Sequence, residues 1–247
     1  MVQNAIFLFI TTMLSGMIFF LLPKKAQKHS DLLLIFGGSY LFSLTLVDLL
    51  PHVYLFAQSN HMVIYALLIG FFLQFFLDLL SQGVAHGHMH SVEIHSKISS
   101  LGLLGALFLH AIFDGLLIGG AQHLISDIHH GHTHHHGLLS GIILHKLPTT
   151  LSFIAILVQQ QHSKSSLLLY LLIFALGSPL GCFIASFLQS SSVIQTPLMI
   201  GWGLAVGNLL HIATTILSES NADHHFKWAS FLANLLGALL AILNFIH

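Results

Sequence analysis

The chain has 247 residues, 55% of them hydrophobic and only 6% charged, with a formal net charge of −1. A soluble domain carries roughly a quarter of its residues as charges, so this composition excludes a water-facing surface and admits a lipid-facing one. With no Arg in the chain nothing supplies a phosphate-binding surface, which excludes nucleic acid as a partner.

Crossing a hydrocarbon layer of ~30 Å takes a helix of ~20 apolar residues. Eight runs meet that need, at about 4–22, 32–57, 62–82, 98–120, 138–160, 166–189, 197–218 and 227–246. They are continuous rather than alternating, so they predict helices and not barrel strands. The expected fold is an all-α membrane protein of eight transmembrane helices, one domain over residues 1–247. The first run has no basic residue before it and no small-residue cleavage pattern after it, so it is read as a span. Lys24, Lys25, Lys28, Lys97, Lys164 and Lys227 all fall in alternate loops. The positive-inside rule makes that side cytoplasmic and puts both termini outside. A plasma or inner membrane suits this multi-pass reading.

Ionisable residues inside spans are costly and mark functional candidates. Span 2 carries Asp48 and His52 at its outer end with Pro51 between them: an entrance relay, or a pair at a helix end. Asp78 closes span 3 and Glu219 closes span 7, where each receives an exiting cation or simply meets solvent. Span 4 reads His110-Ala111-Ile112-Phe113-Asp114, which puts His110 and Asp114 one turn apart on one face. Span 5 reads His145-Lys146-Leu147-Pro148-Thr149, with His145 and Thr149 on one face and a helix kink expected at Pro148. His211 sits mid-span in helix 7 with Thr215 one turn on, facing either the pathway or a core hydrogen bond.

Spans 4 and 5 run in opposite directions, so His110 and His145 meet at one depth. His110, Asp114 and His145 then form a three-ligand site for a divalent cation, with Zn(II) favoured and Fe(II), Mn(II) or Cd(II) compatible. The competing reading is that each histidine hydrogen-bonds between helices. Lys146 either snorkels or pairs with Asp114, or its ammonium occupies the place of a second cation.

Histidine is the compositional anomaly: 21 residues, more than Lys, Arg, Asp and Glu together. Many lie in two loops, at about 83–97 (His86, His88, His90, His95) and 122–137 (His123, His129, His130, His132, His134, His135, His136). Such tracts bind metal by composition and concentrate it locally; the alternative is a polar linker. The single Cys182 lies in an apolar run and implies neither a disulfide nor a thiolate site.

HAIFDGLLIG, HKLPTTLSF, GSPLGCFIA and VDLLPH together resemble signatures of the ZIP (Zrt-, Irt-like) family of metal transporters, in its His-Lys-x-Pro branch. The resemblance implies a central bundle of helices 2, 4, 5 and 7, two inverted three-helix repeats flanking helices 4 and 5, and metal movement into the cytoplasm. A homodimer is compatible with it. Relatives that bind two metals have a polar residue and an acid where this chain has Ala111 and Lys146, and a His or Glu where it has Thr149. One metal is therefore expected, on His110, Asp114 and His145, with Thr149 or water as a weak fourth ligand. The metal is cargo; no catalytic residue and no resident cofactor are expected.

The rival readings are a cation-diffusion exporter, an intramembrane metalloprotease and a haem-binding electron carrier. The exporter would need a soluble domain after the last span. The protease needs a His-Glu-x-x-His motif that the chain lacks. The haem carrier needs paired axial histidines.

Overall fold

The structure, a computed structural model, describes residues 2–19, 30–81, 100–124, 135–189, 196–219 and 227–246. Among these residues the elements are helices only. They are α1 (Val2–Ile18), then α2, a continuous helix made of Ser30–Leu44, a π-helical turn Thr45–Leu49 and Leu50–Ser59, then α3 (Met62–Ser81) and α4 (Ser100–Leu124). After these come α5 (His135–Gln159), α6 (Lys164–Gln189), α7 (Thr196–Glu219) and α8 (Trp228–Ile246). Lipid offers the backbone no hydrogen-bond partner, so each apolar run closes its own ladder.

The eight expected spans all find a helix, with two adjustments. Six helices, α2 to α7, are long and apolar enough to cross a membrane, whereas Val2–Ile18 and Trp228–Asn244 are apolar but shorter. The second histidine-rich stretch is also shorter than expected. α4 runs on to Leu124 and α5 starts at His135, so His123, His135 and His136 belong to helix ends. The remaining histidines of both tracts lie outside the described residues.

Four helices form the centre. α2 packs on α5 and α7, and α4 packs on the same two, which closes a ring. The membrane-length windows of these four are 61–72% buried, against 28% for α3 and 44% for α6. Around the ring, α6 lies on α4, α3 on α7, α8 on α2, and α1 against α5 and α6. Exchanging α1–α3 with α6–α8, and α4 with α5, maps this set of pairs onto itself. Two inverted three-helix repeats flanking α4 and α5 produce that pattern. The outer faces are apolar: Phe72, Phe75 and Phe76 on α3 and Phe183 and Phe187 on α6 are exposed, as a lipid-facing surface requires.

Small residues let the backbones approach. Gly115 and Gly119 of α4 lie against Ser178, Cys182 and Ala185 of α6, and Gly177 and Gly181 of α6 lie against Phe108, Ala111, Ile112 and Leu116 of α4. A Cβ on Gly115 would run into the Ser178 carbonyl, and one on Gly181 into the Ile112 carbonyl. Between membrane helices there is no hydrophobic drive, so this close contact supplies the packing energy. It fixes the face that α4 turns inward, the one carrying His110 and Asp114.

Candidate metal centre

His110 and Asp114, one turn apart on α4, are both buried, with His110 Nε2 3.6 Å from Asp114 Oδ2. From α5, the His145 ring meets the His110 ring edge-on, with centroids 5.6 Å apart and planes at 87°. Helix α5 continues through Pro148. Proline has no N–H for the Leu144 carbonyl, and α2 comes close to that carbonyl at Gly37, whose Cβ position would lie 3.4 Å away. Thr149 donates to the His145 carbonyl at 3.0 Å, and its hydroxyl stands 3.4 Å from His145 Nε2. The two antiparallel helices thus bring together every residue expected at the site.

Lys146 does not snorkel. It is among the largest fully buried side chains, and its Nζ donates to Asp114 Oδ2 at 2.7 Å. The ammonium also stands 5.4 Å from the centroid of the Phe174 ring of α6, a cation–π distance. A buried carboxylate and a buried ammonium each cost too much alone, so they pair. The expected ligand triad is consequently gathered but not closed. Among the described residues no three His, Cys, Asp or Glu side chains form a group able to hold a metal ion.

Asp48 and His52 are both buried rather than at a solvated helix end. The π turn positions them: the Leu50 N–H reaches back five residues to the Thr45 carbonyl, ahead of Pro51. His52 Nδ1 bonds the Asp48 carbonyl at 2.7 Å and lies 3.4 Å from its carboxylate. The His52 ring packs edge-on against Trp202 of α7 at 6.3 Å.

His211 and Asp78 pair: His211 Nε2 lies 2.8 Å from Asp78 Oδ2. Their side chains are 10% and 13% exposed, so Asp78 is not a freely solvated helix end. Asp78 also connects inward. Gln74 Nε2 donates to Asp78 Oδ1 at 2.7 Å, Asn208 Nδ2 donates to Gln74 Oε1 at 2.6 Å, and Asn208 Oδ1 stands 3.1 Å from His110 Nδ1. Gln74 and Asn208, fully enclosed, escape a search confined to ionisable residues. Their signal was present in the sequence: single amides inside FFLQFF and VGNLLH, where a polar group needs a partner. The side chain of Glu219 is not among those described.

The fold and these buried polar groups define a multi-pass membrane protein with ligand-type side chains at its centre, as in carriers that pass ions between helix groups. The pattern of the ZIP Zinc transporter family matches residues 86–244, well over half the chain, and the chain belongs to that family. The match takes in α4 to α8 and therefore HAIFDGLLIG, HKLPTTLSF and GSPLGCFIA, while the VDLLPH stretch of α2 lies before it. No curated protein matches the chain. Family membership makes the cargo zinc or a related divalent metal and the role transport across a membrane.

Proposed function

We propose that this chain carries Zn(II), with Fe(II), Mn(II) or Cd(II) as alternatives, into the cytoplasm through a site between α4 and α5. His110, Asp114 and His145 are its ligands, with Thr149 or water completing the shell. The observation that carries the reading is the buried Lys146–Asp114 pair beside two imidazoles, 2.7 Å from nitrogen to oxygen. A carboxylate already compensated by a cation accepts another cation in exchange: the metal takes Asp114 and the ammonium moves aside. The buried carboxylate offsets part of the several kcal/mol that an uncompensated buried ion costs, while the displaced ammonium keeps its charge and needs other acceptors.

Ala111 offers no ligand and Lys146 offers a positive charge, so the site holds one metal. At about 4 Å and an intermediate effective dielectric, a fixed ammonium would oppose a second dication by several kcal/mol. The lysine-bearing loops support an orientation with lysines inside and both termini outside, and movement into the cytoplasm is what the family resemblance implies. The histidine-rich loops raise the local metal concentration at the two mouths. Sliding of one helix group against the other around the fixed site supports alternating access.

The test is uptake by proteoliposomes of the purified protein, comparing zinc, iron, manganese and cadmium. Zinc uptake saturating with concentration is the expected result. Uptake of none of the four would overturn the reading, and equal uptake in a folded His110→Ala variant would overturn the site.

A further inference from the structure

Three enclosed side chains and the part-buried Asp78, on three helices, form one line of hydrogen bonds, and its direction can be read from the Asp78 end. The Asp78 carboxylate accepts; it turns the Gln74 amide so that Nε2 donates to it at 2.7 Å. Gln74 is left with Oε1 toward Asn208, which must answer with its own NH2, at 2.6 Å. Asn208 is left with Oδ1 toward His110 Nδ1, at 3.1 Å. An amide reversed anywhere along this line would set two acceptors or two donors face to face. In a neutral imidazole the single N–H must therefore sit on Nδ1. We propose that Asp78, Gln74 and Asn208 are positioning residues that hold His110 in the tautomer with its lone pair on Nε2, directed at the site.

The selection is needed because the immediate surroundings favour the opposite. Asp114 Oδ2 lies 3.6 Å from His110 Nε2, and by itself that carboxylate would draw the proton onto Nε2 and block metal binding. Two features oppose it: the Lys146 ammonium, which already occupies Asp114 Oδ2, and the amide line from Asp78. Orientation of a ligand histidine through its second nitrogen is worth about 10–100-fold in metal affinity. That consequence rests on His110 being a ligand; the tautomer itself does not.

The experiment reads ring-nitrogen chemical shifts in metal-free, purified protein carrying isotope-labelled histidine, with the His110 signals assigned by their loss in His110→Gln. The wild type is expected to show an N–H at Nδ1 and a bare Nε2. Gln74→Leu removes both amide bonds and should move the proton to Nε2, while zinc Kd rises about 10–100-fold. Gln74→Glu puts a second carboxyl against Asp78, so the two must share one proton; it still accepts from Asn208 and should keep the wild-type tautomer. Asn208→Leu repeats the test at a second position should Gln74→Leu fail to fold. Wild-type His110 protonated at Nε2 or at both nitrogens overturns the proposal by itself, as does a tautomer unmoved in folded Gln74→Leu or Asn208→Leu. Zinc affinity unchanged in His110→Gln would instead overturn the ligand assignment and leave the tautomer result standing.

Discussion

Lys146 and Asp114 govern what substitutions at the centre will do, because each is the buried partner of the other. Asp114→Ala would strand an ammonium, so a loss of transport could come from a loss of fold. Asp114→Asn keeps an acceptor for Lys146 and removes only the charge. It should leave a folded protein whose zinc uptake falls by more than about 100-fold, beyond the 10–100-fold typical of groups that only orient a ligand. Near-normal uptake by folded Asp114→Asn would remove Asp114 from the site. Lys146→Met tests the other half. Breaking a buried pair from one side costs about 3–5 kcal/mol, which corresponds to a fall in Tm on the order of 10 °C for a chain of this size. Zinc should restore most of that fall, since the dication then compensates Asp114, and zinc should bind more tightly than in the wild type. A metal-free Lys146→Met protein as stable as the wild type, with no gain from zinc, would show that the lysine is no stand-in for the metal.

At the scale of elements, the site depends on how closely α4 lies on α6. Gly115 has the Ser178 carbonyl where a side chain would begin, whereas Gly105 on the same helix has nothing within 4 Å. Gly115→Leu should therefore destabilise by at least the 1–3 kcal/mol typical of overpacking, read as lost monodispersity and a lowered Tm in detergent. Gly105→Leu should be tolerated and transport normally. Equal tolerance of both would mean that the α4–α6 contact is not what orients His110 and Asp114. The elements also show where reading a sequence stops. Apolar runs locate helices well because lipid leaves the backbone no alternative. They do not reveal that α2 carries a π turn at Thr45–Leu49, since one extra residue in a turn leaves hydropathy unchanged. They also place helix ends loosely, as at Leu124 and His135.

For the molecule as a whole, the alternation of lysine-bearing loops predicts which side faces the cytoplasm. In a Cys182→Ala background, Ser126→Cys should react with a membrane-impermeant maleimide in intact cells, and Ser96→Cys only after lysis. The reverse pattern would invert the orientation and, with it, the proposed direction of transport. Cys182 is buried, so its replacement should leave this background quiet.

Class, helix number and the ligand candidates were all legible without a structure. A chain with 6% charged residues must face lipid, and a His-x-x-x-Asp spacing puts two ligand-type side chains on one helix face whatever surrounds it. These are local consequences of composition and of the helical repeat. What the tertiary structure decided is partnership. Lys146 is paired with Asp114 instead of reaching for water, His211 is paired with Asp78, and Asn208 and Gln74 connect His110 to that pair. Apart from the Gln74–Asp78 bond, one turn apart on α3, each of these contacts joins two different helices, and the helical repeat carries no information about which neighbour a face will meet. That choice belongs to backbone approach at glycines and to the requirement that every buried polar group find a partner.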